Sequence, residues 1–450
     1  MSEVWPADRR LTSEVEESPP EAMALEAIEP QAAPGTYPVP GGRGRWRLSV
    51  HNRNYTGVSP ATSIISELTD ARSRRLSQKW NDSAQLDFVL DGHSPHAADV
   101  DEMSTEVIAW RWDDQTGKDV AMFRGPVGQS QDTISEQSAT VQFTCHDYMA
   151  VLARRFSTPN VNMGWLQTDQ DYIASGLVYY WGGQINDVNN QPRFQPGAYI
   201  PLFAGFARPD GSDRTGTLSG VLRDRMYPGA TNIMEALRNL AAVDNGFEFD
   251  CKTWGLSKFT DNVRIFYPYQ GVTRSDIVLR YGTNVSGLTR TFNSADYANY
   301  QRFTGNKQNT DQNAAQMFAE AWTSDASIGT AGAVGLWMNT ANESDVIVQQ
   351  TLQEHTAAAL NRSSVIVGSY SITLRPGWYS LGNPNMGDVV SFVVQEGRLN
   401  VSTQVRVLGF DYDIGEDGDE TVKLTVGRPS ITLGDLFASN KSDVNALARR

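Results

Sequence analysis

The chain has 450 residues, with 38 Lys and Arg against 52 Asp and Glu. The resulting formal charge of −14 repels phosphates and argues against a protein built to grip nucleic acid. Its 10% aromatic content, 11 Trp included, exceeds what a disordered chain carries, and its length calls for several cores, about three or four at ordinary domain size.

In chain order, residues 1–43 hold 7 of the 20 prolines and eight acidic against three basic residues, the composition of an extended acidic arm. Within it, Pro20 to Ile28 could form a short helix on a partner surface, although a solvated linker is the favoured reading. The N-terminus lacks a basic segment followed by an apolar one, and no apolar run approaches a membrane span, so neither export nor anchoring is expected.

From Gly44 the pattern changes. Trp46, Leu48 and Val50 alternate, as do Leu86, Phe88 and Leu90 before the Asp91-Gly92 turn, which predicts strands. Val107–Trp112 and Val120–Arg124 flank a polar, Gly-containing loop and predict a hairpin. Val141, Phe143 and Cys145 predict a further strand. Asp147 then caps a predicted helix, Tyr148–Phe156, with Met149, Leu152, Ala153 and Phe156 on one face.

Residues 157–230 read as irregular β structure rich in Gly, Asn, Pro and aromatics. Thr231 caps a predicted helix to Val243 that ends at a left-handed Asn245-Gly246, and strands follow at Phe247–Cys251 and Val263–Tyr267. This pattern predicts an α+β layer. Two more helices are predicted over Thr310–Trp322 and Asp345–Leu360, the second capped by Ser344 or Asp345. Strands return at Val365–Leu374, Asp388–Val394, Thr403–Tyr412 and Glu420–Val426, before Gly427-Arg428-Pro429 and a C-terminal helix.

The order of elements over residues 44–156, with Leu90-Asp91-Gly92, the aromatic strand before a polar loop, Met122-Phe123-Arg124-Gly125, and the strand leading into His146–Arg155, resembles the first hub domain of siphophage minor tail proteins from phages of actinobacteria. That family is distantly similar to contractile-phage baseplate hubs and to tail-associated lysins, and the resemblance returns over residues 365–450. It implies a mainly β, multidomain chain with two tube-like antiparallel β-barrels, at residues 44–156 and 365–428. An arm (1–43), peripheral α+β domains (157–364) and a C-terminal helical tail (429–450) complete the division. It further implies a non-enzymatic structural protein of the virion, assembled in the host cytoplasm. As a homotrimer it would close the distal tail tube, contact a distal tail protein ring, tape-measure and other tip proteins, and let DNA pass without binding it stably. An acidic bore would assist that passage.

No catalytic, cofactor or metal residue is assigned. Cys145-His146-Asp147 has the residue types of a triad, but neighbouring strand residues face opposite ways. His93 and His96 fit no metal-ligand spacing, and Ser-Pro between them suits a turn. His355 is a lone helical histidine. Asp411, Asp413, Asp417 and Asp419 superficially resemble a calcium loop, yet Gly415 takes a liganding place and no closing Glu follows, so a hairpin is expected. Both cysteines, Cys145 and Cys251, are expected as buried thiols, because two cysteines support neither a disulfide framework nor a cysteine metal site. Trp165, Tyr179, Tyr180 and Trp181 are the candidate contact residues. They could bind a host-surface glycan with help from Asn186, Asn189 and Asn190, or fill a subunit interface, which is the favoured reading. A cell-wall hydrolase is the third reading, without a counterpart here to the catalytic domain of lysin-bearing hubs.

Overall fold

The computed structural model describes residues 46–53, 64–102, 104–157, 162–178, 202–214, 218–242, 245–252, 261–292, 297–307, 316–326, 334–343, 349–364, 368–416 and 419–427. The predicted C-terminal helix and the acidic arm lie outside these residues.

The first lobe contains β1 (Trp46–Asn52), β2 (Ile64–Glu67), β3 (Arg72–Lys79), β4 (Gln85–Asp91), β5 (Thr105–Asp113), β6 (Lys118–Ile134) and β7 (Ala139–His146). Period-two alternation explains β4, where Leu86, Phe88 and Leu90 point into the core while Asp87 and Val89 do not. Phe88 meets Phe143 of β7 with ring centroids 5.2 Å apart. β6 is long because it serves two partners, pairing β5 up to Pro126 and β7 from Val127. Gly125 stands at that corner, where a Cβ would lie 1.9 Å from the backbone oxygen of His146. We therefore expect Gly125→Ala to cost about 3 kcal/mol, read as a lowered denaturant midpoint at unchanged slope.

Next come β8 (Met163–Asp169), α1 (Gln170–Gly176), β9 (Leu202–Ala207), β10 (Leu222–Tyr227), α2 (Ile233–Ala241), β11 (Glu248–Lys252) and β12 (Asp261–Phe266). β12 lies between β11, antiparallel, and β9, parallel, while β8 and β10 form a separate ribbon. α1, α2 and the β11–β12 pair share one core through Ile173, Ile233, Leu237, Leu240, Phe249 and Ile265. The predicted helix after β7 is a 3₁₀ helix, Tyr148–Arg154, with Asp147 as its cap. A repeat of three leaves Ala153 and Phe156 exposed and buries Tyr148, Met149 and Leu152. Those three join this second core, not that of the first lobe. α2 is capped by Asn232, whose side chain accepts from Glu235 N at 3.1 Å. The expected cap, Thr231, instead donates its hydroxyl to Pro228 O. Asn245 is left-handed, as expected, with φ +54°.

β13 (Thr273–Arg280) and β14 (Val285–Phe292) are followed by β15 (Tyr300–Lys307), β16 (Gln316–Trp322), β17 (Met338–Glu343) and α3 (Gln349–Ser363). The helix predicted over Thr310–Trp322 is, where described, the strand β16. Met317 and Ala319 alternate inward with Phe318 and Glu320 outward, and pairing with β15 overrides the helix propensity of Gln, Ala and Glu. α3 covers the inner face of the β16–β15–β17 sheet, with Leu352 against Phe303, Met317 and Ala319. Ser344, Asp345 and Val348 of its predicted start lie outside the described residues.

The chain ends with β18 (Gly368–Leu374), β19 (Val389–Glu396), β20 (Leu399–Ile414) and β21 (Glu420–Gly427). β20 is the counterpart of β6: its first half pairs β19 and its second half pairs β21, with an irregularity between Val407 and Gly409. The fold is mainly β with α+β elements, and the strands expected in two barrels lie side by side in one 13-stranded sheet. Its path runs β14-β18-β21-β20-β3-β4-β7-β6-β5-β1-β2, with β13 and β19 branching from β20. β13 and β14, which fall in the segment 157–364, pair β19 and β18 of the second lobe. One apolar core, from Trp46 and Leu48 to Leu424 and Val426, runs beneath both lobes.

Candidate functional site

The residues that most constrain this molecule are buried charges at its joints. The lobes meet where β3 pairs β20, from Arg74 opposite Ile414 to Lys79 opposite Gly409. Beside that seam the Arg111 guanidinium of β5 grips both oxygens of Glu420 on β21, Nε at 2.9 Å and Nη2 at 2.5 Å. Trp46 of β1 donates its indole N–H to the same carboxylate at 2.7 Å. Arg111 lies over the Tyr379 ring, whose hydroxyl is 3.1 Å from that of Tyr412. Burial pushes both phenols above their ordinary range, so they stay neutral donors.

A second joint ties the α+β part to both lobes. Glu248 at the start of β11 accepts from both terminal nitrogens of Arg406 on β20, from the Trp80 indole at 3.0 Å and from Gln270 N at 2.7 Å. Arg406 lies 4.5 Å from the Trp80 ring centroid and donates to the carbonyls of Gly387 and Gln270. Nearby, Gly271 and Gly387 both take φ above +80° and touch backbone to backbone, so neither has room for a Cβ. A third pair, Arg124 with Glu106, is fully buried in the first lobe, and Tyr148 donates its hydroxyl to Glu106 at 2.7 Å.

Trp46, Arg124 and Tyr148 were read from the sequence only as parts of strands and of a helix, and no residue was singled out there as a member of a buried ion pair. The available signal was a charge inside an apolar strand: Arg111 stands between Trp110 and Trp112, and Arg406 between Val405 and Val407. A buried charge without a partner is too costly to keep, so such a position announces a partner without saying which.

The structure places the sequence-flagged residues apart from any shared chemistry. Cys145 is fully buried and its thiol is pushed up by burial, while Cys251 is half-buried. Asp147 caps the 3₁₀ helix at Met149 N and also accepts from Ala84 N at 2.8 Å. His93 lies in an exposed turn, and Asp91 accepts from its backbone N–H. His96 sits in the turn Pro95–Asp99. His355 is exposed on α3. Asp411 and Asp413 pair with Arg75 across the seam, and Asp413 also with Lys423, while Asp417 lies outside the described residues. Among the described residues, no three His, Cys, Asp or Glu side chains converge as a metal site would require.

Of the candidate contact residues, only Trp165 is described. It lies on β8, half-buried against the second core, with its ring edge-on to Tyr227 at 6.1 Å. Tyr179, Tyr180 and Trp181, with Asn186, Asn189 and Asn190, lie outside the described residues.

Burial pushes the Asp147 carboxyl up to about 7, against the pull of the Ala84, Ala150 and Met149 amides. It pushes Asp171 up to about 6, against the Arg214 charge. Both folded values lie above the unfolded one, so between about pH 4 and 7 the folded chain holds protons that the unfolded chain has released. Stability from these groups is therefore greatest in acid and falls as pH rises through those values. We expect the melting temperature to drop from pH 5 to pH 8, with a shallower drop in Asp147→Asn. The slope from one such group is at most about 1.4 kcal/mol per pH unit.

No protein-family model matches the sequence, and no curated protein matches it. Among solved structures, the chain is similar to the 43 kDa tail protein of prophage MuSo2 from Shewanella oneidensis, with a TM-score of 0.53 and 12% identity over 85% of this chain and 98% of that one. It is similar to the tail protein from Neisseria meningitidis MC58, with a TM-score of 0.51 and 12% identity over 87% of this chain and 98% of that one. At such identities the likeness is one of fold. It extends across nearly the full length of both neighbours.

Proposed function

We propose that the chain is a non-enzymatic structural hub of a phage tail tip, acting as a homotrimer that closes the distal end of the tail tube. The observation that carries this reading is the fold shared with two tail proteins over at least 85% of the chain. Its internal architecture supports it. Each lobe is organised about one long partner-switching strand, β6 or β20, so three copies would offer six similar lobes to a sixfold ring above. The joints at Glu420 and Glu248 lock lobes and α+β part against one another, as a load-transmitting ring requires.

In this reading β2, β13 and β14, the outer strands of the sheet, offer edges that neighbouring copies would cover. A distal tail protein ring and tape-measure protein would be the axial partners, and Trp165 with Tyr179, Tyr180 and Trp181 would belong to an interface. DNA would pass without stable binding, the protein being assembled in the host cytoplasm and carried at the tail tip of the virion. Gold-labelled antibody on intact tailed particles encoding the chain should decorate the tail end away from the capsid. Label on the capsid or along the tube, or a chain confined to the soluble lysate, would overturn the reading.

A further inference from the structure

The sheet β16–β15–β17 has one face packed on α3 and, among the described residues, nothing laid over the other. Register across the three strands arranges the open face in rows: Trp322, Tyr300 and Met338; then Glu320, Arg302 and Thr340; then Phe318, Thr304 and Asn342. Trp322 is 60% exposed, Met338 55% and Phe318 51%. The Tyr300 and Trp322 rings lie nearly parallel, 18° apart with centroids 6.3 Å distant. Arg302 spreads its guanidinium over Phe318 at 5.1 Å and reaches Glu320 at 3.7 Å, both half-exposed. Thr304 Oγ1 donates to the Asn342 side-chain oxygen at 3.3 Å.

Two features say what fits such a face. Flat, near-parallel rings interleaved with fixed donors and acceptors suit a ligand with an apolar face and a polar rim. The charge at the centre is self-cancelling, Arg302 against Glu320, so the face attracts neither anions nor cations as a whole. Aromatic residues, Met and Arg are common in protein interfaces as well, but Glu is depleted at their cores, and here Glu320 stands in the middle row, paired with Arg302 between the aromatic rows. Rows about 7 Å apart along the strands and about 5 Å apart across them are on the scale of single sugar rings.

We propose that the open face of this sheet is a binding platform for a neutral glycan, with pyranose faces on Trp322 and Tyr300 and hydroxyls on Glu320, Arg302 and Asn342. The platform is separate from Trp165 and its neighbours, and it does not depend on the hub reading.

The test uses the full chain and short oligomers of glucose, galactose and mannose, with uronic acid oligomers alongside, read by calorimetry. The result expected is saturable binding of at least one neutral oligomer. Trp322→Ala, at an exposed position, should weaken it about tenfold, the worth of one well-placed ring, with an unchanged melting temperature. Glu320→Gln should weaken it as well, and Leu222→Ala on the separate β8–β10 ribbon should leave it unchanged. Binding of no neutral oligomer, binding indifferent to Trp322→Ala, or preference for the uronic acid oligomers would overturn the proposal. So would self-association of the chain that Trp322→Ala abolishes, since the face would then be an interface between copies.

Discussion

Glu248→Ala is expected to destabilise the protein by about 3–5 kcal/mol, a large share of the roughly 5–15 kcal/mol that holds a folded protein together. The carboxylate accepts from Arg406 twice, from the Trp80 indole and from the Gln270 amide. Truncation leaves the Arg406 guanidinium, buried over the Trp80 ring, without its counter-charge, and leaves two neutral donors without an acceptor. The loss should be uneven. Because this joint fastens β11 to β20 and to the residue after β3, limited proteolysis should release the α+β part before the 13-stranded sheet is cut. Glu248→Gln keeps an acceptor and the shape, and should fall between wild type and Ala. A loss within about 1 kcal/mol would mean that water satisfies Arg406.

A comparable loss, about 3–5 kcal/mol, is expected for Arg111→Ala at the seam between lobes, where the almost wholly buried Glu420 carboxylate would lose its bidentate counter-charge. The informative experiment is the cycle with Glu420→Leu and Arg111→Met. Each single replacement strands a charge, whereas the double replacement strands none, so it should cost less than the two losses added. Added salt should change little, because the pair is shielded from solvent. Strict additivity in the cycle would show that the two side chains do not act as a pair.

The strands were most legible where alternating apolar and polar residues matched a face on the core and a face on water and no helix-favouring composition competed. Leu86, Phe88 and Leu90 wrote β4 plainly, and the hairpins around residues 113–118 and 413–419 were equally clear. Three kinds of element were not legible. β3 carries Arg72-Ser-Arg-Arg-Leu-Ser-Gln-Lys and buries only Arg74 and Leu76, since its stability comes from β20, more than three hundred residues away. β16 has a helix-favouring composition and owes its strand form to β15. The turn of Tyr148–Arg154 was readable as helical, but the tighter repeat that aims Tyr148 at Glu106 was not.

The same distance hid the joints. Arg111 and Glu420 are 309 positions apart, and Glu248 and Arg406 are 158 apart. Each was visible as a charge in an apolar strand, and neither named its partner. The resemblance over residues 44–156 pointed towards tail proteins, two of which share the fold of this chain, while the residues that fasten that fold together emerged only from the structure.

Image reconstruction of the tail end of intact particles tests the hub reading most directly. Three copies should surround the axis below a sixfold ring, with the first and second lobes alternating to make six positions and the β3–β20 seam running inside each copy. A single copy, a copy number unrelated to three, or lobes pointing away from the tube would contradict it.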